Sequence, residues 1–259
     1  MPRANRFYLP GQVWHITHRC HRQQFLLKFL RDRRLWHRWL FEARKRYGLC
    51  VLNYIATSNH IHLLVRDQGK GEIARSMQLV SGRMAQAYNQ RKQRKGAFWE
   101  DRYHATAIES GEHLARCLVY IDLNMVRADA VTHPADWLVS GYREIQSPPR
   151  RYRVIDMSAL HEALGLTGND TLGAVHHEWV EQALKNDHLQ RETHWSESVA
   201  VGSQAFVEGV QAQLGTWAQA RRVEDADDVA CLRESPAAYT TDFARENVPL
   251  RTNQPGQHR

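Results

Sequence analysis

Hydrophobic and polar positions in the first 145 residues switch between two periods. GQVWHITHRC sets Val13, His15 and Thr17 on one side of a two-residue repeat and predicts a strand. Leu30 to Gly48 predicts a long helix with Leu35 and Trp39, joined by Trp36 and Leu40, on its buried stripe and Gly48 as its stop. LCVLNYIAT and HIHLLVRD predict two strands separated by a Ser-Asn turn. In EIARSMQLVSGRMAQAYNQR, Ile73, Met77, Val80, Met84 and Tyr88 recur at helical spacing, before the basic run RKQRKG. FWEDRYHATAIE predicts another strand and GEHLARCLVYIDLNMVRA a third helix. The order β-α-β-β-α-β-α is that of a split βαβ unit. The expected class is α+β, a ferredoxin-like antiparallel sheet with helices on one face.

The periodicity stops at IQSPPRRYR, where paired prolines predict a boundary between a domain over residues 1–147 and a region over 154–259. Beyond it, MSALHEALGL and SESVAVGSQAFVEGVQAQLG predict short helices, so the second region is expected to be smaller and mainly helical. The last 35 or so residues are polar and weakly patterned, which predicts loose order.

Charge sharpens this division. Residues 1–153 carry 27 Lys and Arg against 12 Asp and Glu, whereas residues 154–259 carry 8 against 16. A basic part followed by an acidic one is the pattern of a nucleic-acid-binding domain with an appendage of different task. It predicts that the first 150 residues alone bind nucleic acid and that the remainder tunes this activity. No run of about 18 apolar residues exists and the N-terminus lacks a signal-peptide apolar core, so a cytoplasmic protein with no membrane partner is expected. Cys20, Cys50, Cys117 and Cys231 lie far apart with no Cys-x-x-Cys, which argues against a zinc knuckle or disulfide scaffold.

Two candidate elements carry chemistry. On the strand HIHLLVRD, His60 and His62 share one face while Ile61, Leu63 and Val65 share the other. Two imidazoles so placed can share one divalent cation, although a half-buried sheet with a solvated side shows the same pattern. Ordinary imidazoles would lose a metal below about pH 6.5. On the third helix, Leu114, Cys117, Leu118, Ile121 and Met125 form an apolar stripe, with Tyr120 and Asn124 stacked at its margin. An amide oxygen from Asn124 would complete a His-His-Asn site and tie it to Tyr120. A nearby cation could offset the poor nucleophilicity of a phenol whose pKa is about 10.

HIHLLV and YIDLNMVRA resemble the His-hydrophobic-His and single-tyrosine motifs of the HUH transposases. The closer resemblance is to the REP-associated tyrosine transposases, with supporting echoes in HITHRCHRQQFL, GAFWEDRYHATAIES and AVGSQAFVEGV. It implies single-stranded DNA endonuclease and strand-transferase activity at hairpin-forming repeats, through a 5′-phosphotyrosine. Tyr120 is implied as nucleophile and His60, His62 and Asn124 as ligands of Mg²⁺ or Mn²⁺. Met125 stands where the family usually has proline, which predicts a helix running on towards Arg127.

Arg19, Arg22, Arg102, His104, Arg116 and Arg127 are candidate DNA contacts, with Trp99 or Tyr103 as stacking platforms. The competing readings are a domesticated hairpin-binding protein without catalysis and a metal-dependent hydrolase drawing further ligands from Asp101 and His104. Monomer and homodimer both stay open.

Overall fold

The computed structural model describes residues 9–167, 171–186, 190–218, 221–226 and 229–234. Its first half follows the pattern just derived: β1 (Val13–Arg19), α1 (Leu30–Tyr47), β2 (Cys50–Ala56), β3 (His60–Arg66), α2 (Glu72–Arg91), β4 (His104–Ile108) and α3 (Glu112–Asp122). The strands pair antiparallel in the order β2-β3-β1-β4, the ferredoxin-like arrangement. Gly48, at φ 71°, ends α1 in the left-handed region that glycine enters without steric cost.

The buried stripe of α1 is rotated by one residue from the expected one. Trp36, Leu40 and Ala43 are buried, while Leu35 and Trp39 only pack at the edge. The stripe expected for α2 is buried throughout. Here α1 and α2 lie on the Tyr54, Leu63 and His18 side of the sheet, where Trp36 meets Tyr54 and Ser81 reaches His18.

The opposite face, which carries His15, Thr17, His60 and His62, is covered too. Here α3 crosses it, and Asp122 Oδ1 accepts from Asn53 Nδ2 of β2 at 3.1 Å. The third helix breaks at Leu123, where ψ is 1°, and resumes for one turn as α4 (Asn124–Arg127). The helix expected to run on towards Arg127 is thus interrupted at Leu123 and recovered for one turn.

The remaining elements are α5 (Gly141–Gln146), α6 (Met157–Ala163), α7 (Leu172–Lys185), α8 (His194–Glu197), β5 (Ala200–Gly202), α9 (Gln204–Leu214), β6 (Arg221–Ala226) and β7 (Val229–Glu234). Gly141 is needed for close approach, because a Cβ there would collide with Asn53 Oδ1. The region after residue 153 is rich in helix, as expected, and also extends the sheet. β5 joins β4 in parallel, and the β6–β7 hairpin completes the order β2-β3-β1-β4-β5-β7-β6. The hairpin occupies the start of the stretch expected to be loosely ordered; residues 235–259 lie outside the described ones.

One hydrophobic cluster runs without interruption from Val13 through Ile121 to Val154, Trp195, Val201 and Leu232. Paired prolines therefore mark a surface connection laid over a shared core.

Candidate functional site

The register of β1 against β3 sets Thr17 opposite His62 and Arg19 opposite His60, so these four side chains share the face that α3 crosses. The two imidazole rings stand nearly perpendicular with centroids 4.8 Å apart. Around them a cavity of about 470 Å³ is lined by Arg19, Gln23, Asn59, Tyr120, Asn124, Arg127, Arg191 and Ser196, among others.

Hydrogen bonds dictate which ring nitrogen faces this space. The Trp195 carbonyl can only accept, so His15 Nδ1–H donates to it at 2.7 Å. In neutral His15 this leaves Nε2 as an acceptor, and His62 Nδ1–H donates to it at 2.8 Å. The lone pair of His62 therefore sits on Nε2, which receives the amide Nδ2 of Asn124 at 2.9 Å. His60 is oriented likewise. Asn59 Nδ2 donates to the Gln23 carbonyl, so its Oδ1 faces His60 Nδ1–H at 2.7 Å and the Nε2 of His60 is left as the lone-pair nitrogen. Asn124 is within hydrogen-bonding reach of His60 as well.

Both strand histidines are held in the neutral form. Burial pushes His60 down to about 4, aided by Arg19, Arg191 and Arg127. Burial likewise pushes His62 well below its ordinary value, with His60, His15, Arg127 and Arg19 adding to it. The loss of metal-binding form expected near pH 6.5 is thereby displaced to lower pH. Two neutral imidazole nitrogens and one amide that can turn its oxygen inward are a donor set that fits a divalent cation with water or phosphate completing the shell. Among the described residues no three His, Cys, Asp or Glu are grouped so that they could hold a metal ion by themselves, so such a site depends on the asparagine. Asp101 and His104, the extra ligands of the hydrolase reading, instead line a neighbouring cavity with Arg19, Arg102 and Arg233.

Tyr120 is 6 % exposed, more deeply set than a helix-margin position implies. Its ring lies 6.2 Å from that of His62 and 6.3 Å from Trp195. The Arg127 guanidinium sits 4.1 Å above the ring and donates to the Tyr120 carbonyl at 2.6 Å. Burial raises the phenol, while Arg127, Arg191 and a hydrogen bond from Ser196 pull it back.

Residues 12–124 match the family model described as "Transposase IS200 like". Over these 113 of its 259 residues the chain is similar to IS200-like transposases. The matched stretch ends on Asn124; Arg127, Arg191, Trp195 and Ser196 come from beyond it. The structure of a REP-associated tyrosine transposase bound to a REP hairpin is similar at 18% identity, covering 61% of this chain and 96% of that one, with a TM-score of 0.49. A putative transposase from Deinococcus radiodurans R1 is similar at 14% identity over 49% of this chain and 95% of that one, with a TM-score of 0.33. No curated protein matches the chain in sequence.

The other candidates lie in different surroundings. Arg19 lines the cavity and Arg127 roofs the tyrosine. Arg22 is exposed in the turn after β1, outside the cavity walls. Exposed Arg102 belongs to the neighbouring cavity, and His104 donates from Nε2 to the Ser198 carbonyl at 2.8 Å. Arg116 lines a third cavity on the far side of Tyr120, against Trp179. Trp99 stacks one face on His18 at 4.1 Å, and Tyr103 is buried.

Sequence reasoning missed His15, Arg191, Trp195 and Ser196. His15 alone left a signal, as a polar residue alternating with Val13 on one side of β1.

Proposed function

We propose that the protein cuts single-stranded DNA at hairpin-forming repeats and rejoins it, with Tyr120 as nucleophile. One observation carries this reading. The Nε2 atoms of His60 and His62 and the amide of Asn124 converge on the cavity whose wall holds Tyr120, one helical turn before Asn124.

In the forward step Tyr120 Oη attacks the phosphorus of a phosphodiester. The bond from phosphorus to the 3′-oxygen breaks, the 5′ side stays on the tyrosine, and the phenolic proton ends on the released 3′-hydroxyl. Attack by a 3′-hydroxyl on the phosphotyrosine reverses the step, and the ester bond energy is conserved between them. Mg²⁺ or Mn²⁺, held by His60, His62 and Asn124, would supply positive charge for the phosphate oxygens.

Arg127 steadies negative charge growing on the phenol from 4.1 Å above its ring, which offsets the cost of burial. Arg19 and Arg191 line the entrance and draw the phosphate backbone in. Such a substrate is met in the cytoplasm, on the nucleoid, and monomer or dimer action is equally compatible with a site built from one chain.

Incubating the protein with labelled hairpin DNA tests this directly. Wild type should form a covalent protein–DNA adduct that requires Mg²⁺ or Mn²⁺ and survives denaturing gels. Tyr120→Phe should fold and bind but form none. Binding without any adduct in the wild type would favour a hairpin-recognition role without catalysis.

A further inference from the structure

Among the described residues, four large hydrophobic side chains are strongly exposed, and two of them, Phe25 at 66% and Phe29 at 56%, lie in the single loop between β1 and α1. Burial does not require them there, since Leu26 and Leu27 of the same loop already fill the core. The loop is nevertheless fixed in place. Leu27 N donates to the Ser58 carbonyl at 2.9 Å, Asn59 holds the Gln23 carbonyl, and Arg33 donates to the carbonyls of Leu27 and Lys28. These bonds tie it to the β2–β3 turn that orients His60, and Gln23 is itself part of the cavity wall.

The far end of the loop meets the basic end of α2. Arg91 pairs with buried Asp32 at 2.5 Å, and the Lys92 ammonium lies 5.6 Å from the Phe29 ring centroid. Residues 21–31 and 91–99 contain no carboxylate, and Arg22, Lys28, Lys92 and Lys95 are all exposed. Open aromatic faces interleaved with cations, beginning at the rim of a cavity, suit one occupant. Bases stack on rings whatever their sequence, and cations follow the phosphates.

We propose that residues 22–29 and 92–95 form a track for unpaired nucleotides of the DNA strand entering the cavity, with Phe25 and Phe29 as stacking platforms. The track rests on the DNA-cutting reading for its substrate, and on its own geometry for its place. Duplex DNA hides its base faces, so the track discriminates single strands from paired ones.

The test uses the full chain and fluorescence anisotropy with three oligonucleotides: a hairpin with unpaired flanks, the same hairpin without flanks, and a blunt duplex. Phe25→Ala and Phe29→Ala should each weaken binding of the flanked hairpin about tenfold, with little change for the other two. Phe25→Trp should restore it. Lys92→Ala should instead reduce the salt slope by about 0.7. Both phenylalanines are exposed, so circular dichroism should be unchanged.

The track is refuted if the alanine variants bind the flanked hairpin within about twofold of wild type, or weaken all three DNAs alike. Failure of the cutting reading looks different. A wild type that binds through Phe25 and Phe29 but never forms an adduct keeps the track and loses the nuclease. A wild type that forms the adduct while the alanine variants bind normally loses only the track, and one that binds no single strands loses both.

Discussion

Replacing His15 by phenylalanine separates metal-site geometry from DNA binding. His15 is fully buried and spans the gap between His62 Nδ1 and the Trp195 carbonyl through bonds of 2.8 and 2.7 Å. Phenylalanine keeps the ring volume but strands one donor and one acceptor in the core, at about 1–3 kcal/mol each. His62 then loses the partner that fixes its tautomer, so Nε2 no longer carries the lone pair by default. Loss of such an outer hydrogen bond typically costs about 10- to 100-fold in metal affinity.

The expected result is a lower urea midpoint and a similar rise in the Mg²⁺ or Mn²⁺ concentration giving half-maximal adduct formation. Hairpin binding in EDTA should stay near wild type, because His15 touches no solvent. His15→Gln, which can both accept from His62 and donate to Trp195, should recover part of the metal affinity and guards against a phenylalanine variant that fails to fold. If the phenylalanine variant folds and its metal requirement is unchanged, the relay does not set the ligand geometry and the reasoning fails.

Other outcomes follow from the same contacts. His15 has a folded value of about 4 against about 6.5 unfolded, so its contribution is complete above pH 6.5 and lost as pH falls towards 4, by up to about 3 kcal/mol; urea melts across that range should show the slope, and His15→Gln should flatten it. Adduct formation should persist below pH 6 because His60 stays neutral to about 4; a rate that collapses at pH 6.5 would mean that solvated imidazoles govern it. Arg127→Ala should slow adduct formation more than tenfold with little effect on hairpin affinity, read by single-turnover kinetics. His176→Leu should destabilise the fold by about 1–3 kcal/mol in urea, since it removes the hydrogen bond that Asp122 Oδ2 accepts at 2.7 Å and leaves only the one from Asn53. Truncation after residue 150 should lower the melting temperature sharply, because it removes Trp195 and exposes the β4 edge.

The contrast between His60 and His15 shows what the sequence made legible. His60 and His62 were readable because alternation alone puts them on one face, and Tyr120 with Asn124 because four residues make one helical turn. His15 alternates just as visibly, but its meaning depends on a carbonyl 180 residues away, which no local pattern records. The extra strands were hidden for different reasons. β5 is only Ala-Val-Gly, and β6, the edge strand, reads Arg-Arg-Val-Glu-Asp-Ala, with charges masking its alternation. Proline pairs and a charge reversal suggested a boundary at about residue 150, yet neither signal reports on whether apolar side chains on either side share one core.

The bond from His15 to Trp195 also has a consequence for the order of synthesis. A ribosome releases the matched stretch, residues 12–124, long before residue 195 emerges. Until then His15 has no carbonyl to orient it, and His62 can carry its proton on either nitrogen. A nascent chain, or one cut short by a premature stop, therefore holds every residue of the His-His-Asn-Tyr set without the ordered lone pair of His62. On the DNA-cutting reading proposed above, the ligand geometry is completed only once residue 195 has been made.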